Sequence, residues 1–141
     1  MTREEKGEKL ISASIEEYKG KGESILVVDD VKEQRYLAGD ILNVLDYKVR
    51  TVSSGEEAVE YIRNNPVYLV IPDMIMDPGI DGLETYKRII EIKPRQKAII
   101  VSGFSETEKG RKARELGGGA YIQKPYIVEQ LGMAIRKELQ R

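Results

Sequence analysis

The 141-residue sequence contains no cysteine and no histidine. The first absence removes disulfides, thiolate zinc sites and cysteine nucleophiles. The second removes imidazole general bases, Ser-His-Asp triads and His-ligated metals. A metal ion bound here must therefore sit on oxygen, and any phosphohistidine chemistry must take its histidine from a partner. A charge excess of one sign is also lacking: 23 Lys and Arg against 24 Asp and Glu leave a net charge of −1, so no global basic field is available to hold a nucleic-acid backbone. No charge-free stretch approaches the roughly 20 apolar residues of a membrane span, and the N-terminus lacks the apolar core of a signal peptide. These absences predict a soluble, cytoplasmic domain without a membrane segment and without direct nucleic-acid binding.

What is present suits one domain with a single sizeable core. Residues 1–23 carry many charges and three glycines around a short apolar cluster at Leu10, Ile11, Ala13 and Ile15, and read as a charged tail, linker or marginal helix. The folded domain is expected over residues 24–141. Ile25 to Val28 reads as a buried strand, followed by a helix from Lys32 to Leu45 with Leu37, Ile41 and Val44 at helical spacing. Lys48 to Val52 is a second strand, and Ser54-Gly55-Glu56-Glu57 opens a helix with Ala58, Val59 and Ile62 on its buried face. Val67 to Ile71, Ala98 to Val101 and Tyr121-Ile122 are three further strands. Each is followed by a helix, over Leu83 to Ile92, Glu106 to Leu116 and Ile127 to Leu139. Continuously apolar strands alternating with helices imply a doubly wound α/β fold, with a five-stranded parallel sheet covered on both faces.

In open α/β sheets, ligands bind beyond the carboxyl ends of the strands. Those ends are polar here: Asp29-Asp30 after the first strand, Asp73 after the third, Ser102 after the fourth and Lys124-Pro125 after the fifth. Singly, each is an ordinary turn former, cap or solvated residue; their conjunction in order at strand ends is what carries the reading. Two carboxylates about 4 Å apart repel by roughly 4 kcal/mol at an effective dielectric of 20, so three acids on one rim invite a hard cation. Mg²⁺, or Mn²⁺ in its place, binds through a few carboxylates and keeps open positions for phosphate oxygens. An Asp carboxylate can then act as a nucleophile toward phosphorus, with Lys124 and the Ser102 hydroxyl offsetting the incoming charge.

Residues 24–141 resemble the response-regulator receiver family on these same positions: Asp29 and Asp30 in ILVVDD, Asp73 in DMIMDPGIDGLETY, Ser102 in VSGFS and Lys124 in YIQKP. The resemblance implies a flavodoxin-like (βα)5 fold with strand order 2-1-3-4-5. It implies that Asp73 is the phosphoacceptor, with Lys124 and Ser102 assisting. Asp30, Asp73 and the backbone carbonyl of Ile75 would hold Mg²⁺, and Asp29 would help mainly through water. It also implies a switch in which Ser102 moves toward the phosphoryl group and Tyr121 rotates inward, read out on the fourth helix, fifth strand and fifth helix. The donor would be the phosphohistidine of a sensor histidine kinase or histidine phosphotransfer protein in a two-component phosphorelay, or of kinase domains in the same parent chain. The domain would accept phosphate without being a turnover enzyme on its own. The resemblance further implies that the side chains two positions beyond the acceptor and the hydroxyl control access of water to the phosphoryl group. Here they are the apolar Ile75 and Phe104, so slow self-dephosphorylation is expected.

The segment Asp77-Pro78-Gly79-Ile80-Asp81-Gly82 carries about one residue more before its Asp-Gly turn than the commonest family pattern. In this it resembles the receivers at the C-terminal end of hybrid sensor histidine kinases. The charged start Thr2-Arg3-Glu4-Glu5 is similar to the stretch after a kinase ATP-binding domain, which implies a receiver excised from a longer chain with Met1 added. Pro72, directly before Asp73, lacks the N–H that a central strand needs; the expectation is that the strand has reached its fraying end there. Rival classes are disfavoured by particular residues. No Gly-rich phosphate cradle follows the first strand, against a nucleotide hydrolase, and Val31 stands where a haloacid-dehalogenase-type phosphatase needs its second Asp. A receiver-like interaction module that signals without phosphorylation is the alternative that Pro72 motivates.

Overall fold

A computed structural model describes residues 15–76, 79–103 and 108–141. In chain order the elements are β1 (Ser24–Val28), α1 (Lys32–Val44), β2 (Lys48–Val52), α2 (Gly55–Asn64), β3 (Leu69–Pro72), α3 (Gly82–Ile92), β4 (Lys97–Ala98), β5 (Ile100–Ser102), α4 (Glu108–Glu115), β6 (Tyr121–Gln123) and α5 (Val128–Gln140). All strand pairs are parallel, in the orders β2-β1-β3-β4 and β5-β6. Side chains alternate across each strand, so Ile25, Val27, Leu69 and Ile71 face α1 and α5, while Leu26, Val28 and Val70 face α2, α3 and α4. Two apolar layers therefore sandwich the sheet, as the uninterrupted apolar strands predicted.

β4 and β5 are two parts of one stretch, and the gap between them has a cause in Pro72. The Ile99 N–H donates to Val70 O at 3.0 Å and the Met74 N–H to Val101 O at 2.8 Å. In that two-residue alternation the next donor is the N–H of residue 72, aimed at Ile99, and proline has none. Regular pairing lapses at Ile99 and resumes at the Asp73–Val101 bridge. Taken through the gap, the strands run in the expected 2-1-3-4-5 succession. Pro72 does not mark a frayed end, because the ladder continues past it: the Asp73 N–H donates to Val28 O at 2.9 Å. The missing donor lies on the side facing β4 and β5, and the backbone of Asp73 is held from β1.

The helices show why local signals succeed or fail. Ser54 caps α2 by accepting the Glu57 N–H, and Asp81 caps α3 by accepting the Glu84 N–H at 2.9 Å. Gly117, at φ 125°, turns the chain out of α4 in a conformation that glycine tolerates. On α1 the expected buried stripe is displaced. Leu37 and Val44 are exposed, and Ala38, Gly39, Ile41 and Leu42 face the sheet. Both stripes satisfy helical spacing, but the small Ala38, fully buried, lets the helix lie closer to the strands than Leu37 could.

Part of the expected N-terminal tail is attached to the domain. Residues 15–18 are helical, and Ile15 and Tyr18 pack on the layer beneath α1 and α5. The Gly20 and Gly22 N–H groups donate to Leu45 O and Asp46 O at 2.7 and 2.9 Å, and Arg136 of α5 donates to Lys19 O at 3.1 Å. Any Cβ at Gly132 would meet Tyr18, so α5 is shaped to receive that ring. Residues 1–14, Asp77-Pro78, and Phe104 with the expected helix start at Glu106 lie outside the described residues. No helix among the described residues is long and apolar enough to cross a membrane.

Candidate functional site

The parallel strands deliver their polar ends to one rim. Asp29 leaves β1 fully buried, with its N–H on Val52 O at 3.2 Å and its Oδ1 accepting the Val31 N–H at 2.9 Å. Asp73 leaves β3 only 5% exposed, and its Oδ1 accepts the Ile75 N–H at 2.9 Å. Both carboxylates close the short turns that Asp favours at strand ends. Lys124 follows β6 and is anchored by its N–H to Ser102 O at 2.8 Å; the Lys124–Pro125 bond is cis. The Lys124 ammonium donates to Asp29 Oδ2 and to Asp73 Oδ2, each at 2.5 Å, so it ties the first, third and last strand ends together. Asp30 is exposed, and carboxylate oxygens of Asp29, Asp30 and Asp73 lie within 4.8 Å of one another.

Three carboxylates against one ammonium leave the cluster net negative. Burial pushes the Asp73 carboxyl above its ordinary value; the Lys124 hydrogen bond and the Ile75 N–H work against that, and the Asp29 charge reinforces it. For Lys124, burial alone would lower the value, but the hydrogen bonds to Asp29 and Asp73 outweigh it and the ammonium is held above its usual range. Behind the rim Tyr126 is buried. Burial first, and then the charges of Asp29 and Asp73, push its phenol far up, so it remains a neutral hydroxyl.

The remaining expected residues fall around this centre. Ser102 is fully buried at the end of β5. Tyr121 is half-buried in the edge strand β6, packed toward α2, α3 and α4. The β5–β6 register pairs Ile100 with Tyr121 and Ser102 with Gln123, which puts Ser102 and Tyr121 on the same sheet face. Ile75 is 49% exposed at the mouth, whereas Phe104 lies outside the described residues. Gly82 permits the close approach of α3, since a Cβ there would overlap the Asp73 carbonyl oxygen and Met74. Two participants were not anticipated. Arg35, one turn into α1, donates from Nη1 to Asp29 O at 2.8 Å, and Tyr126 sits two positions after Lys124. Arg35 stands six residues after Asp29, the only signal that could have flagged it.

The model of the response regulator receiver domain matches residues 25–136. The chain belongs to the response regulator receiver family. Among similar proteins, this receiver is 30% identical over 117 residues to the sporulation initiation phosphotransferase F of Bacillus subtilis, covering 83% of this chain and 94% of that protein. It is 29% identical to the chemotaxis protein CheY of Thermotoga maritima, covering 82% and 97%. The solved CheY-like receiver domain protein from Methanospirillum hungatei superposes with a TM-score of 0.78 at 27% identity, over 84% of this chain and 94% of that one. The receiver also spans 30% and 31% of the length of two longer relatives. It is thus a receiver domain of two-component signal transduction, on a parallel sheet with helices on both faces, and its acidic cluster could hold a metal ion.

Proposed function

We propose that Asp73 accepts a phosphoryl group from the phosphohistidine of a sensor histidine kinase or histidine phosphotransfer protein. The observation that carries this is the Asp73 carboxylate, buried at the end of β3 and bonded at 2.5 Å to a Lys124 ammonium shared with Asp29. A carboxylate oxygen of Asp73 attacks phosphorus, the O–P bond forms as the donor's N–P bond breaks, and the imidazole leaves with the electron pair. These 141 residues contain no histidine, so the donor imidazole lies outside them, in a separate protein or in kinase domains of a longer parent chain. Lys124 would transfer hydrogen bonding from the carboxylate to the incoming phosphoryl oxygens, and the Ser102 hydroxyl would donate to another.

The donor set fits a hard divalent cation. It consists of oxygens alone, three carboxylates share one small volume, and no nitrogen or sulfur ligand is available. As the family resemblance implies, Asp30, Asp73 and the Ile75 backbone carbonyl would hold Mg²⁺, with Asp29 acting through water. Lys124, which bonds both Asp29 and Asp73, would yield part of its hold on Asp73 to the ion. When bound, Mg²⁺ supplies positive charge against the acids and the phosphoryl oxygens. Ser102 and Tyr121, on one sheet face, would form the switch, with α4, β6 and α5 as its readout.

The test is incubation with Mg²⁺ and acetyl phosphate, followed by intact-mass measurement beside an Asp73→Asn control. One phosphoryl adduct, absent in the control and without Mg²⁺, is expected. An adduct that persists in Asp73→Asn would move the acceptor elsewhere, and no adduct would favour an interaction module that works without phosphate.

A further inference from the structure

We propose that Arg35 is a positioning residue for the cation site, holding the Asp29–Asp30 peptide so that the Asp30 carboxylate stays in the space shared with Asp73. The inference rests on the reading of Asp30 and Asp73 as Mg²⁺ ligands. Asp29 is pinned at every polar atom: its N–H to Val52, its Oδ1 to Val31, its Oδ2 to Lys124 and its carbonyl to Arg35. Three of these bonds hold the strand end and the carboxylate. The fourth holds the carbonyl of the peptide that leads into Asp30, the exposed member of the cluster. Rotation of that peptide would swing the start of Asp30 while leaving the Asp29 carboxylate in place.

Arg35 can do this because α1 begins at Lys32 and its first turn is closed by the Arg35 N–H on Val31 O at 3.1 Å. From that fixed base its long side chain returns to the rim and makes a 2.8 Å charge-assisted bond. Mg²⁺ demands near-ideal octahedral geometry and tolerates little ligand displacement, and partners that orient a metal ligand typically account for about 10–100-fold in affinity. The sign of the effect separates this role from simple electrostatics. A guanidinium beside a cation site repels Mg²⁺, so its removal should tighten binding if charge were its whole contribution; loss of orientation weakens it.

The experiment is calorimetric titration of Mg²⁺ into the full chain, in wild type, Arg35→Ala and Arg35→Lys, each alone and in an Asp30→Asn background, with urea unfolding in chelator as the control for folding. Arg35→Ala is expected to raise the Mg²⁺ Kd about 10-fold, Arg35→Lys about threefold because one donor and the charge remain, and neither is expected to add to the loss in the Asp30→Asn background. Unchanged or tighter binding in Arg35→Ala, or an equal further loss in the Asp30→Asn background, overturns the role of Arg35. If Arg35→Ala does not fold, Arg35→Lys decides: affinity equal to or above wild type overturns the proposal. Wild type that binds no Mg²⁺ would instead sink the reading of the metal site, and this inference with it.

Discussion

Replacing Asp73 by Asn should stabilise the metal-free receiver, although it removes the group on which the function depends. At an effective dielectric of about 20, the Lys124 contact at 2.5 Å is worth roughly 7 kcal/mol to an ionised Asp73. The other two acids, with oxygens within 4.8 Å, each repel it by at least about 3.5 kcal/mol. These contributions nearly cancel, so the burial of the carboxylate decides the balance, and it raises the Asp73 pKa. A group whose folded pKa is raised contributes stability below its unfolded pKa and loses it as pH rises through the folded value. At neutral pH Asp73 therefore sits on the unfavourable side. Because Lys124 keeps Asp29 as its partner and is not left an unpaired buried charge, a neutral, nearly isosteric amide should gain on the order of 1 kcal/mol, roughly the worth of one pKa unit, or a few degrees in Tm. The assay is urea and thermal unfolding of both proteins in chelator at neutral and acidic pH. The gain should shrink as pH falls through the folded pKa. Saturating Mg²⁺ at about 100 times Kd should add about 2.7 kcal/mol to wild type and less to Asp73→Asn, closing or inverting the gap. If Asp73→Asn instead unfolds more easily than wild type in chelator, the Lys124 link outweighs burial and the reasoning is wrong.

Asp81→Asn should cost about 1 kcal/mol at neutral pH, because it keeps the capping oxygen but removes the negative charge from the N-terminus of α3 and the 2.6 Å ion pair with Lys109. Burial would raise the Asp81 carboxyl, but the Glu84 N–H and Lys109 outweigh it and hold the value low; this stability is present above the unfolded pKa and lost as pH falls through the folded one. Urea melts of the variant and wild type should therefore converge in acid. Gly82→Ala should lose about 1–3 kcal/mol through overpacking against Asp73 and Met74; a Tm equal to wild type would show that α3 can shift freely. Ile75→Ala should speed loss of the phosphoryl group by uncovering the mouth that Ile75 partly covers, as followed by intact mass after donor removal, and an unchanged decay would exclude Ile75 as a water barrier.

The strands and the rim were legible because they depend on local pattern. Ile25–Val28 and Leu69–Ile71 are buried on both faces, so their apolar runs are unbroken, and a parallel sheet then puts whatever follows each strand on the same edge. Asp29, Asp73, Ser102 and Lys124 meet there for that reason alone. The buried side of α1 was less legible, since Leu37, Ile41 and Val44 fit a helical stripe as well as Ala38, Ile41 and Leu42 do. Only the closeness of helix to sheet selects the smaller residues.

The least legible features are those in which one partner has no local signature. Nothing around Gly132 distinguishes it from an ordinary helix glycine, yet it is the seat of Tyr18 from more than a hundred positions earlier. Pro72 is the converse case: its chemistry is plain in the sequence, but its cost depends on which neighbour it faces. Had the missing N–H been due on the β1 side, the backbone holding Asp73 would have lost a bond next to the acceptor. Directed at Ile99, it interrupts β4 and β5 instead, while the bonds from Asp73 to Val28 and from Met74 to Val101 remain. A proline before the acceptor is therefore compatible with a fixed carboxylate, because alternation along a parallel strand assigns adjacent residues to opposite neighbours.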